Sequence, residues 1–417
     1  MQTLKLNPLA HFVMKRPIVI GLAIIVAAII ITASISYYYQ AKTPKEIVVG
    51  VSLPLTGPFA SPTQLVKNGY EIWADEVNQK GGLLGMKVRL LIYDNKGDSK
   101  SVISDYERLI TVDKVDLCLG TYTSGLALVA EPIFEKYHMP VIHATAASEQ
   151  IYAKNFNYTF TVNFPVSWFG KGFIDMLMTQ NPKPKNMAVL ALSELYPKSV
   201  AQGAADYAKT VGIDVPFFEE YTSDITTLVP QLTKLKSLNP DIVLVSGYTP
   251  HAILATREMK ELGISPKAVW ESVGPSDPQY RSAVGADGEN IFTIEPWVPT
   301  LPGVESFVNA YKVKTGGSLP DYGAALAYVS GKVMENAVTT VGSLDPVKIR
   351  DAISNFKGQI LGVPIEFAHN AKVGQWTLNG INIGFPGLTT QLRSGSTVIV
   401  WPSAMAGTTP VYPKPAW

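Results

Sequence analysis

The 417-residue chain has a single cysteine, Cys118, and its charges almost cancel, with 35 Lys and Arg against 34 Asp and Glu. One cysteine excludes an intrachain disulfide, a CxxC redox motif and a zinc site built on several thiolates. A net charge of +1 gives no reason to expect nucleic acid or another polyanion as a partner. Cys118 lies in the apolar run 115–120, so we expect it in a core, where free cysteine is most often found.

Motifs of the common catalytic and cofactor sites are missing as well. The chain has no HExxH, no GxSxG and no Walker lysine loop, and its five histidines lack metal-ligand spacing. The stretch 80–85 is only GGxxG, and it follows a predicted helix, whereas a phosphate cradle opens one. We interpret it as a helix end and a turn. The sequence therefore predicts no metal, no cofactor and no enzyme activity.

The N-terminal stretch is a candidate membrane segment. Lys15 and Arg16 precede residues 17–41, which carry no charge and are long enough to span a bilayer. We expect a transmembrane anchor, with residues 1–16 in the cytoplasm, because basic residues flank the inner end of such helices. A cleaved signal peptide is the alternative, since small residues follow the apolar run. Either alternative puts the chain beyond its linker at 42–45 on the extracytoplasmic side of the cell membrane.

Beyond the linker, strand-like apolar runs alternate with segments of helical period. Ile47 to Leu53 is rich in β-branched residues and ends at Pro54, which is typical of a buried parallel strand. The helix predicted after it runs from Gln64 to Lys80. Further strands are predicted at 87–94, 115–119, 141–142, 187–192, 215–218 and 242–245, and further helices at 99–110, 126–137, 199–211, 228–238 and 251–262. Repeated βα units predict an α/β fold with two parallel-sheet lobes and a cleft between them.

The last third of the chain changes character. Helices are predicted at 303–314 and 324–341. Short runs broken by glycines then predict strands at 360–362, 373–378, 388–392 and 397–401. The tail 402–417 is rich in proline, and we expect it to be extended on the surface.

Two loops after predicted strands are rich in small and hydroxyl residues. Gly120 to Gly125 leads into a helix, and His143 to Ser148 follows the next strand. Adjacent parallel strands would bring the two loops together, and hydroxyls beside the free amides of a helix N-terminus make an anion site. The alternative is ordinary helix capping, which Ser and Thr perform in many proteins.

With these loops in view, the chain resembles the type I periplasmic binding proteins of the leucine/isoleucine/valine-binding branch, the solute-capturing components of ABC importers. The resemblance covers about 47–401. It rests on an ordered set of short motifs at 50–57 (GVSLPLTG), 78–85 (NQKGGLLG), 93–95 (YDN), 120–124 (GTYTS), 130–133 (AEPI), 240–243 (PDIV) and 259–263 (MKELG).

The resemblance implies two Rossmann-like lobes, joined by a three-stranded hinge, that close on a ligand. It assigns 46–165 and 299–355 to the first lobe, and 166–298 and 356–401 to the second. The implied partners are a small polar solute, with an amino acid expected first, and an ABC permease in the membrane. A ligand sensor on the same fold is the alternative, but a cytoplasmic segment of 1–16 leaves no room for an output domain.

The resemblance also implies where the ligand's α-carboxylate lies. The matching positions on the first lobe are Ser124 and the segment Thr145–Ser148, with Tyr122 beside them. Ala147 stands where relatives often have a hydroxyl residue, so the hydroxyl would come from Thr145 or Ser148. This departure weakens the expectation of an ordinary α-amino acid.

Aromatic and acidic residues are implied on the other side of the ligand. Tyr248 matches a ligand-facing aromatic, and Tyr196 and Tyr322 are further predicted contacts. An acid that pairs with the ligand's ammonium is expected near Glu271 to Asp277, and of these two we favour Asp277. The alternatives are that Tyr248 is a half-buried loop aromatic and that Asp277 is a turn residue before Pro278.

Overall fold

The structure, a computed structural model, describes residues 46–417 and, before them, only 25, 27–29 and 31. The predicted cytoplasmic segment, the rest of the predicted anchor and the linker lie outside the described residues. Both alternatives for the N-terminal stretch therefore stay predictions. Within the described part of the chain, no helix is long and apolar enough to cross a membrane.

The first lobe is built on a five-stranded sheet of order β2-β1-β3-β4-β5. Its strand β1 is buried almost throughout, as its β-branched composition predicts, and it pairs in parallel with β3. The elements are β1 (Glu46–Leu53), α1 (Ala60–Gln79), β2 (Lys87–Asp94), α2 (Ser99–Thr111), β3 (Leu117–Leu119), α3 (Ser124–Tyr137), β4 (Val141–His143), α4 (Glu149–Tyr152) and β5 (Thr159–Thr161). Cys118 is fully buried in β3, which confirms the core position predicted for it.

The second lobe is built on a seven-stranded sheet of order β16-β15-β10-β9-β8-β6-β7. The neighbouring strands β7, β6, β8, β9 and β10 pair in parallel, whereas β15 and β16 run antiparallel to their neighbours. The elements before β15 are α5 (Lys171–Met178), β6 (Asn186–Leu192), α6 (Leu195–Thr210), β7 (Asp214–Tyr221), α7 (Val229–Ser237), β8 (Ile242–Ser246), α8 (Thr249–Glu261), β9 (Ala268–Glu271), α9 (Pro278–Val284) and β10 (Phe292–Glu295). Single 3₁₀ turns occupy Val166–Trp168, Gly274–Ser276 and Gly285–Gly288.

After β10 the chain adds helices to the first lobe, and its last two strands, β15 and β16, complete the sheet of the second lobe. The elements after β10 are α10 (Glu305–Thr315), α11 (Tyr322–Val341), α12 (Pro346–Ser354), β11 (Lys357–Ile360), β12 (Val363–Glu366), β13 (Ala371–Val373), β14 (Trp376–Leu378), β15 (Leu388–Arg393) and β16 (Ser396–Trp401). Helix α11 packs directly on α1. A Cβ at Gly69 would lie 2.1 Å from the carbonyl oxygen of Ala324, so the two helices approach this closely only because position 69 is glycine.

Two of the predicted late strands are wrong in detail. Ile360 ends β11, and Leu361 and Gly362 form the turn of the β11–β12 hairpin, with φ of 49° and 76°. The single strand predicted at 373–378 is a hairpin that turns at Gly374, where φ is 54°. In both places a residue in the left-handed region reverses the chain, and apolar composition alone does not reveal the reversal.

The chain passes between the lobes three times, after β5, after β10 and again before β15. The β11–β12 hairpin lies beyond residue 356, yet its buried Val363 and Ile365 pack in the core of the first lobe. The proline-rich tail has no helix or strand, and it lies against the second lobe. There the indole Nε1 of Trp417 donates to the carbonyl oxygen of Ile264 at 2.6 Å.

Candidate ligand-binding site

The two hydroxyl-rich loops of the first lobe meet at the N-terminus of α3. Thr123 caps this helix, since its Oγ1 accepts from the backbone N–H of Leu126 at 3.2 Å. Ser124 is the first helical residue, and its Oγ accepts from the backbone amides of Ala147 and Ser148 at 3.2 and 3.3 Å. A hydroxyl has two acceptor positions and one proton. These two amides therefore occupy the acceptor positions of Ser124 and leave its proton to donate.

A buried polar network lies beneath these loops. The Nε2 of His143, at the end of β4, lies 2.7 Å from Oε1 of Glu131, and the hydroxyl of Thr159 donates to Oε2 of the same carboxylate. All three residues are buried. Thr145, two residues beyond His143, donates its hydroxyl to the carbonyl oxygen of Tyr122 at 2.7 Å. The His143–Glu131–Thr159 network therefore fixes the end of β4, and the bond from Thr145 to Tyr122 joins the loop after β4 to the loop after β3.

Aromatic rings from both lobes face each other across the cleft. Phe59, at the start of α1, lies 5.0 Å from Tyr248 of the second lobe, centroid to centroid, in an edge-to-face arrangement. Tyr196 stacks on Tyr248 at 5.8 Å, and Phe59 also approaches Tyr122 at 6.0 Å. Such ring pairs stabilise beyond the area they bury. The two lobes are therefore in direct contact through their aromatic side chains.

Two small spaces lie between the rings. The first, which we call the hydroxyl pocket, has a volume of about 20 Å³ and is lined by Tyr122, Thr123, Ser124, Thr145, Asn163, Phe169, Tyr196, Tyr248, Val273 and Tyr322. The second, which we call the acid pocket, has a volume of about 10 Å³ and is lined by Pro62, Tyr122, Val273, Ser276, Asp277, Asp321, Tyr322 and Gly323. One water needs roughly 10–15 Å³. A solute of amino-acid size therefore enters only if the lobes part or the rings move.

The tyrosines of the cleft are neutral hydrogen-bond donors. Burial raises the pKa of Tyr122, Tyr248 and Tyr322 well above the usual value, and burial also raises the pKa of Tyr196. Tyr196 donates to the carbonyl oxygen of Ser272 at 3.4 Å. The hydroxyls of Tyr122 and Tyr248 have no hydrogen-bond partner among the described residues, although each residue is only 7% exposed. Both remain available to a ligand.

The two acids predicted as ammonium partners lie in different surroundings. Asp277 lines the acid pocket, where its Oδ2 accepts from the hydroxyl of Thr249 at 2.6 Å and its Oδ1 caps α9. Glu271 is fully buried, lines neither pocket and accepts from the hydroxyl of Thr256 at 2.8 Å. Burial raises the pKa of Glu271 to about 8, so it is largely uncharged at neutral pH. Between the two acids, Val273 lines both pockets.

Two of the predicted first-lobe residues do not line either pocket. Ala147 is fully buried and contributes its backbone amide to Ser124. Ser148 is also fully buried, and its hydroxyl hydrogen-bonds the hydroxyl of Ser199 in α6 at 2.9 Å. This bond joins the two lobes outside the pockets. Of the predicted set, the structure brings together in the hydroxyl pocket Tyr122, Ser124, Thr145, Tyr196, Tyr248 and Tyr322.

Comparisons with known proteins agree with the architecture. A family model for periplasmic binding proteins matches residues 46–377. The chain belongs to this family. A similar curated protein, the Leu/Ile/Val-binding protein homolog 7 of Brucella suis biovar 1 (strain 1330), is 26% identical over 385 residues, which cover 88% of this chain and 94% of that protein. The resemblance to the Leu/Ile/Val-binding branch that the motifs predict is confirmed.

Solved structures of the same architecture hold different ligands. The branched-chain amino acid transporter substrate-binding protein LivJ of Streptococcus pneumoniae, in complex with isoleucine, matches with a TM-score of 0.72 and 22% identity over 85% of this chain and 98% of its own. A solute-binding protein of an ABC transporter from R. palustris, in complex with benzoate, matches with a TM-score of 0.73 and 18% identity over 85% and 96%. At these identities the two structures show the fold alone.

Sequence reasoning missed several residues that line the cleft of this periplasmic binding protein. Asn163 and Phe169 lie where the chain leaves the first lobe, and Phe59 precedes α1. Asp321 caps α11, with its Oδ1 accepting from the backbone N–H of Ala324 at 2.9 Å. An acid directly before a helical pattern is a recognisable capping signal. That signal predicts the helix start and does not predict that the carboxyl faces the cleft.

Among the described residues, no group of three or more His, Cys, Asp and Glu side chains could hold a metal ion. The linings of the two pockets, as far as the described residues form them, contain no histidine, cysteine or lysine. The cleft therefore offers hydroxyls, aromatic rings and two carboxyls for recognition.

Proposed function

We propose that this chain is the solute-capturing component of an ABC importer and that it binds a small carboxylate between its two lobes. The observation that carries the proposal is the hydroxyl pocket, to which both lobes contribute. The first lobe supplies the N-terminus of α3 and the free proton of Ser124, and the second supplies the hydroxyl of Tyr248. A ligand held by groups from both lobes stabilises the closed form over the open one.

The donors of the hydroxyl pocket suit a carboxylate. A helix N-terminus carries partial positive charge and free amides, and neutral hydroxyls complete the set without adding a fixed charge. Each charge-assisted hydrogen bond contributes roughly 1.5–3 kcal/mol. Three or four of them, less the cost of closure, correspond to a dissociation constant of about 1 μM.

Amino acids, branched-chain or related, are the ligand class that we propose first. Support comes from relatives named as Leu/Ile/Val-binding homologues and from the isoleucine complex of a structural neighbour. The benzoate complex of another neighbour makes a carboxylate without an ammonium group the second class. Carboxylates without an ammonium group should be kept in any screen, because Ala147 and Val273 supply no polar side chain to the ligand.

We propose that the chain acts by binding alone and hands its ligand to a permease. Relatives named as binding proteins support this proposal. The three passages of the chain between the lobes are the natural hinge. We propose that closure bends these segments and leaves each lobe rigid.

The proposed location is the extracytoplasmic face of the membrane, with 17–41 as anchor. The charge-free span after Lys15 and Arg16 supports it. Mass spectrometry of the native protein's N-terminal peptides is the test. An intact span in the membrane fraction supports the anchor. A mature N-terminus near Ala33 or Tyr37 contradicts the anchor and leaves export intact.

A thermal-shift screen against amino acids, aromatic carboxylates and other small solutes tests the ligand class, because a solute that binds only the folded state raises the melting temperature. Hits are then measured by calorimetry on the wild type and on Ser124→Thr and Ser124→Ala. We expect a carboxylate to bind, with affinity kept in the threonine variant and reduced in the alanine variant. If no carboxylate shifts the melting temperature, the proposed function is wrong.

A further inference from the structure

The acid pocket lies directly beside the hydroxyl pocket. Tyr122, Val273 and Tyr322 line both spaces and form their common wall. On the far side of this wall are two carboxyl groups that come from opposite lobes. Asp277 follows the 3₁₀ turn of the second lobe, and Asp321 stands at the start of α11 on the first. The two meet only when the lobes are together.

Asp321 is half-buried, and its carboxyl is bonded within the described residues through one oxygen. Its Oδ1 accepts from the backbone amide of Ala324, and its Oδ2 has no hydrogen-bond partner among the described residues. Burial raises its pKa to about 7, the nearby carboxyls of Asp277 and Glu295 raise it as well, and Arg281 lowers it. The guanidinium of Arg281 already donates to the carbonyl oxygens of Pro275 and Ser276. The described lining of the acid pocket itself contains no cation to balance Asp277 and Asp321.

An independent observation points to a ligand in the same space. Tyr122 is only 7% exposed and lines the acid pocket, yet its hydroxyl has no partner among the described residues. The carboxyl of Asp277 is close enough to raise the pKa of this phenol further. The rings of Tyr122 and Tyr322 also form the wall, and a cation over a tyrosine face is attracted by the ring. Hydroxyl, rings and carboxyls together suit a cationic nitrogen.

The hydroxyl pocket has the opposite character. Its described lining contains no acid, and the wall that it shares with the acid pocket includes the apolar Val273. An ammonium bonded to the carbon beside the ligand's carboxylate would therefore lie among hydroxyls and rings. The two carboxyls become available only to a cation that reaches past Val273. The two pockets thus favour opposite ends of one elongated ligand.

We propose that the acid pocket is a second subsite, closed by Asp277 and Asp321 from opposite lobes, for a cationic nitrogen carried at the far end of the ligand from its carboxylate. This inference rests on the proposed function, since the hydroxyl pocket must hold the carboxylate. It narrows the ligand class to ω-amino acids, basic amino acids and compounds of the same charge pattern. The cation draws Asp277 and Asp321 together and so adds to closure.

Four six-carbon probes separate the two possible cation positions. Hexanoate has the carboxylate alone, L-norleucine adds the α-ammonium, 6-aminohexanoate adds the distal ammonium and L-lysine has both. Calorimetry on the full chain should show 6-aminohexanoate binding at least about 30-fold more tightly than hexanoate, and L-lysine at least about 30-fold more tightly than L-norleucine. The factor reflects the loss expected when one partner of a buried charge pair is missing.

Asp321→Asn tests the subsite, because asparagine still caps a helix and removes only the charge. We expect the advantage of the distal ammonium to fall below about threefold in this variant. Asp277→Asn, on the other lobe, should reduce it in the same way. The matched control is Asp345→Asn, which makes the same change at the cap of α12, away from both pockets. The control should keep the full advantage, and circular dichroism verifies folding.

The outcomes separate this inference from the proposed function. If L-lysine binds no more tightly than L-norleucine, or if Asp321→Asn keeps the advantage, the subsite is wrong. If only the α-ammonium adds affinity, the acid pocket does not take a distal cation, and the proposed function stands. If none of the four binds while another carboxylate does, the subsite again fails alone. If no carboxylate binds at all, both fail.

Discussion

The two sides of the hydroxyl pocket are built in different ways. On the first-lobe side, the hydroxyls of Ser124 and Thr145 are bonded within the lobe, to two amides and to a carbonyl oxygen, whereas that of Tyr122 has no described partner. On the second-lobe side, the hydroxyl of Tyr248 has no described partner, and the loop from Glu271 to Asp277 places one acid in the core and the other at the cleft.

This difference indicates that the two lobes contribute to ligand binding in different ways. Under the proposed function, Ser124 and Thr145 form a preorganised site for the ligand's carboxylate, because their bonds are made within the first lobe and do not depend on closure. The second lobe contributes the hydroxyl of Tyr248, which we expect to gain a partner only when ligand is bound and the lobes are closed. Affinity should therefore depend on both sides, whereas the stability of the first-lobe site should depend on its own internal bonds.

The largest expected effect concerns the two acids of the second-lobe loop. Asp277→Asn should reduce the affinity for a ligand whose ammonium reaches the acid pocket by about 2–5 kcal/mol, because it removes one partner of a buried charge pair. Glu271→Gln should change that affinity by less than about 0.5 kcal/mol, because Glu271 lines neither pocket. Calorimetry with L-lysine, which carries a distal ammonium, measures both. Normal binding by both variants would mean that the ligand carries no cation at this place.

Glu271 should also make the stability of the protein depend on pH. In the folded state, burial raises the pKa of Glu271 from 4.5 to about 8, so folding takes up a proton between these values. The contribution of Glu271 to the free energy of unfolding is therefore present below about pH 4.5 and is lost as the pH rises through about 8, by on the order of 5 kcal/mol.

Glu271→Gln isolates this effect, since glutamine does not titrate. Urea unfolding at several pH values should show a smaller loss of stability above pH 5 in the variant than in the wild type. Other buried acids, Asp321 among them, act in the same direction in both proteins and cancel in the comparison. Parallel curves for the two proteins would contradict the buried, proton-retaining state of Glu271.

Ser124→Ala removes the hydroxyl that we propose as a carboxylate donor on the first lobe. The lost donor should reduce affinity for a carboxylate by about 1–3 kcal/mol. Stability should fall too, because the amides of Ala147 and Ser148 lose their shared acceptor in a buried place. Calorimetry and urea unfolding measure the two losses. Ser124→Thr keeps a hydroxyl and should restore most of both, and unchanged affinity in Ser124→Ala would reduce Ser124 to a structural residue.

The smallest expected effect is on the bond between the lobes. Ser199→Ala removes the partner of Ser148 and should weaken ligand binding by about 0.5–1.5 kcal/mol, through closure alone. The control is Ser237→Ala, an exposed helical serine of the same lobe that bonds only within its own helix. Small-angle scattering with and without ligand checks closure. A loss of affinity without any change in closure would contradict this role.

Much of the fold follows from local signals in the sequence. The run from Ile47 to Leu53 predicts β1, because β-branched residues favour a buried strand and Pro54 ends it. Asp98 predicts the start of α2, and its carboxylate does accept from the backbone N–H of Ser101 at 2.7 Å. The loops after β3 and β4 are predicted neighbours because adjacent parallel strands place them at one edge. These signals depend on residues close together in the chain.

The tertiary structure alone decided which side chains face the cleft. Glu271 and Asp277 are both acids near the end of β9, and no local pattern says that one is buried beside Thr256 and the other lines a pocket. Likewise, Phe59, Val273 and Asp321 come from distant parts of the chain and meet only through the packing of two lobes. Sequence determines where elements begin and end, because those choices are made within a few residues. The site arises from the orientation of whole elements, which long-range packing sets.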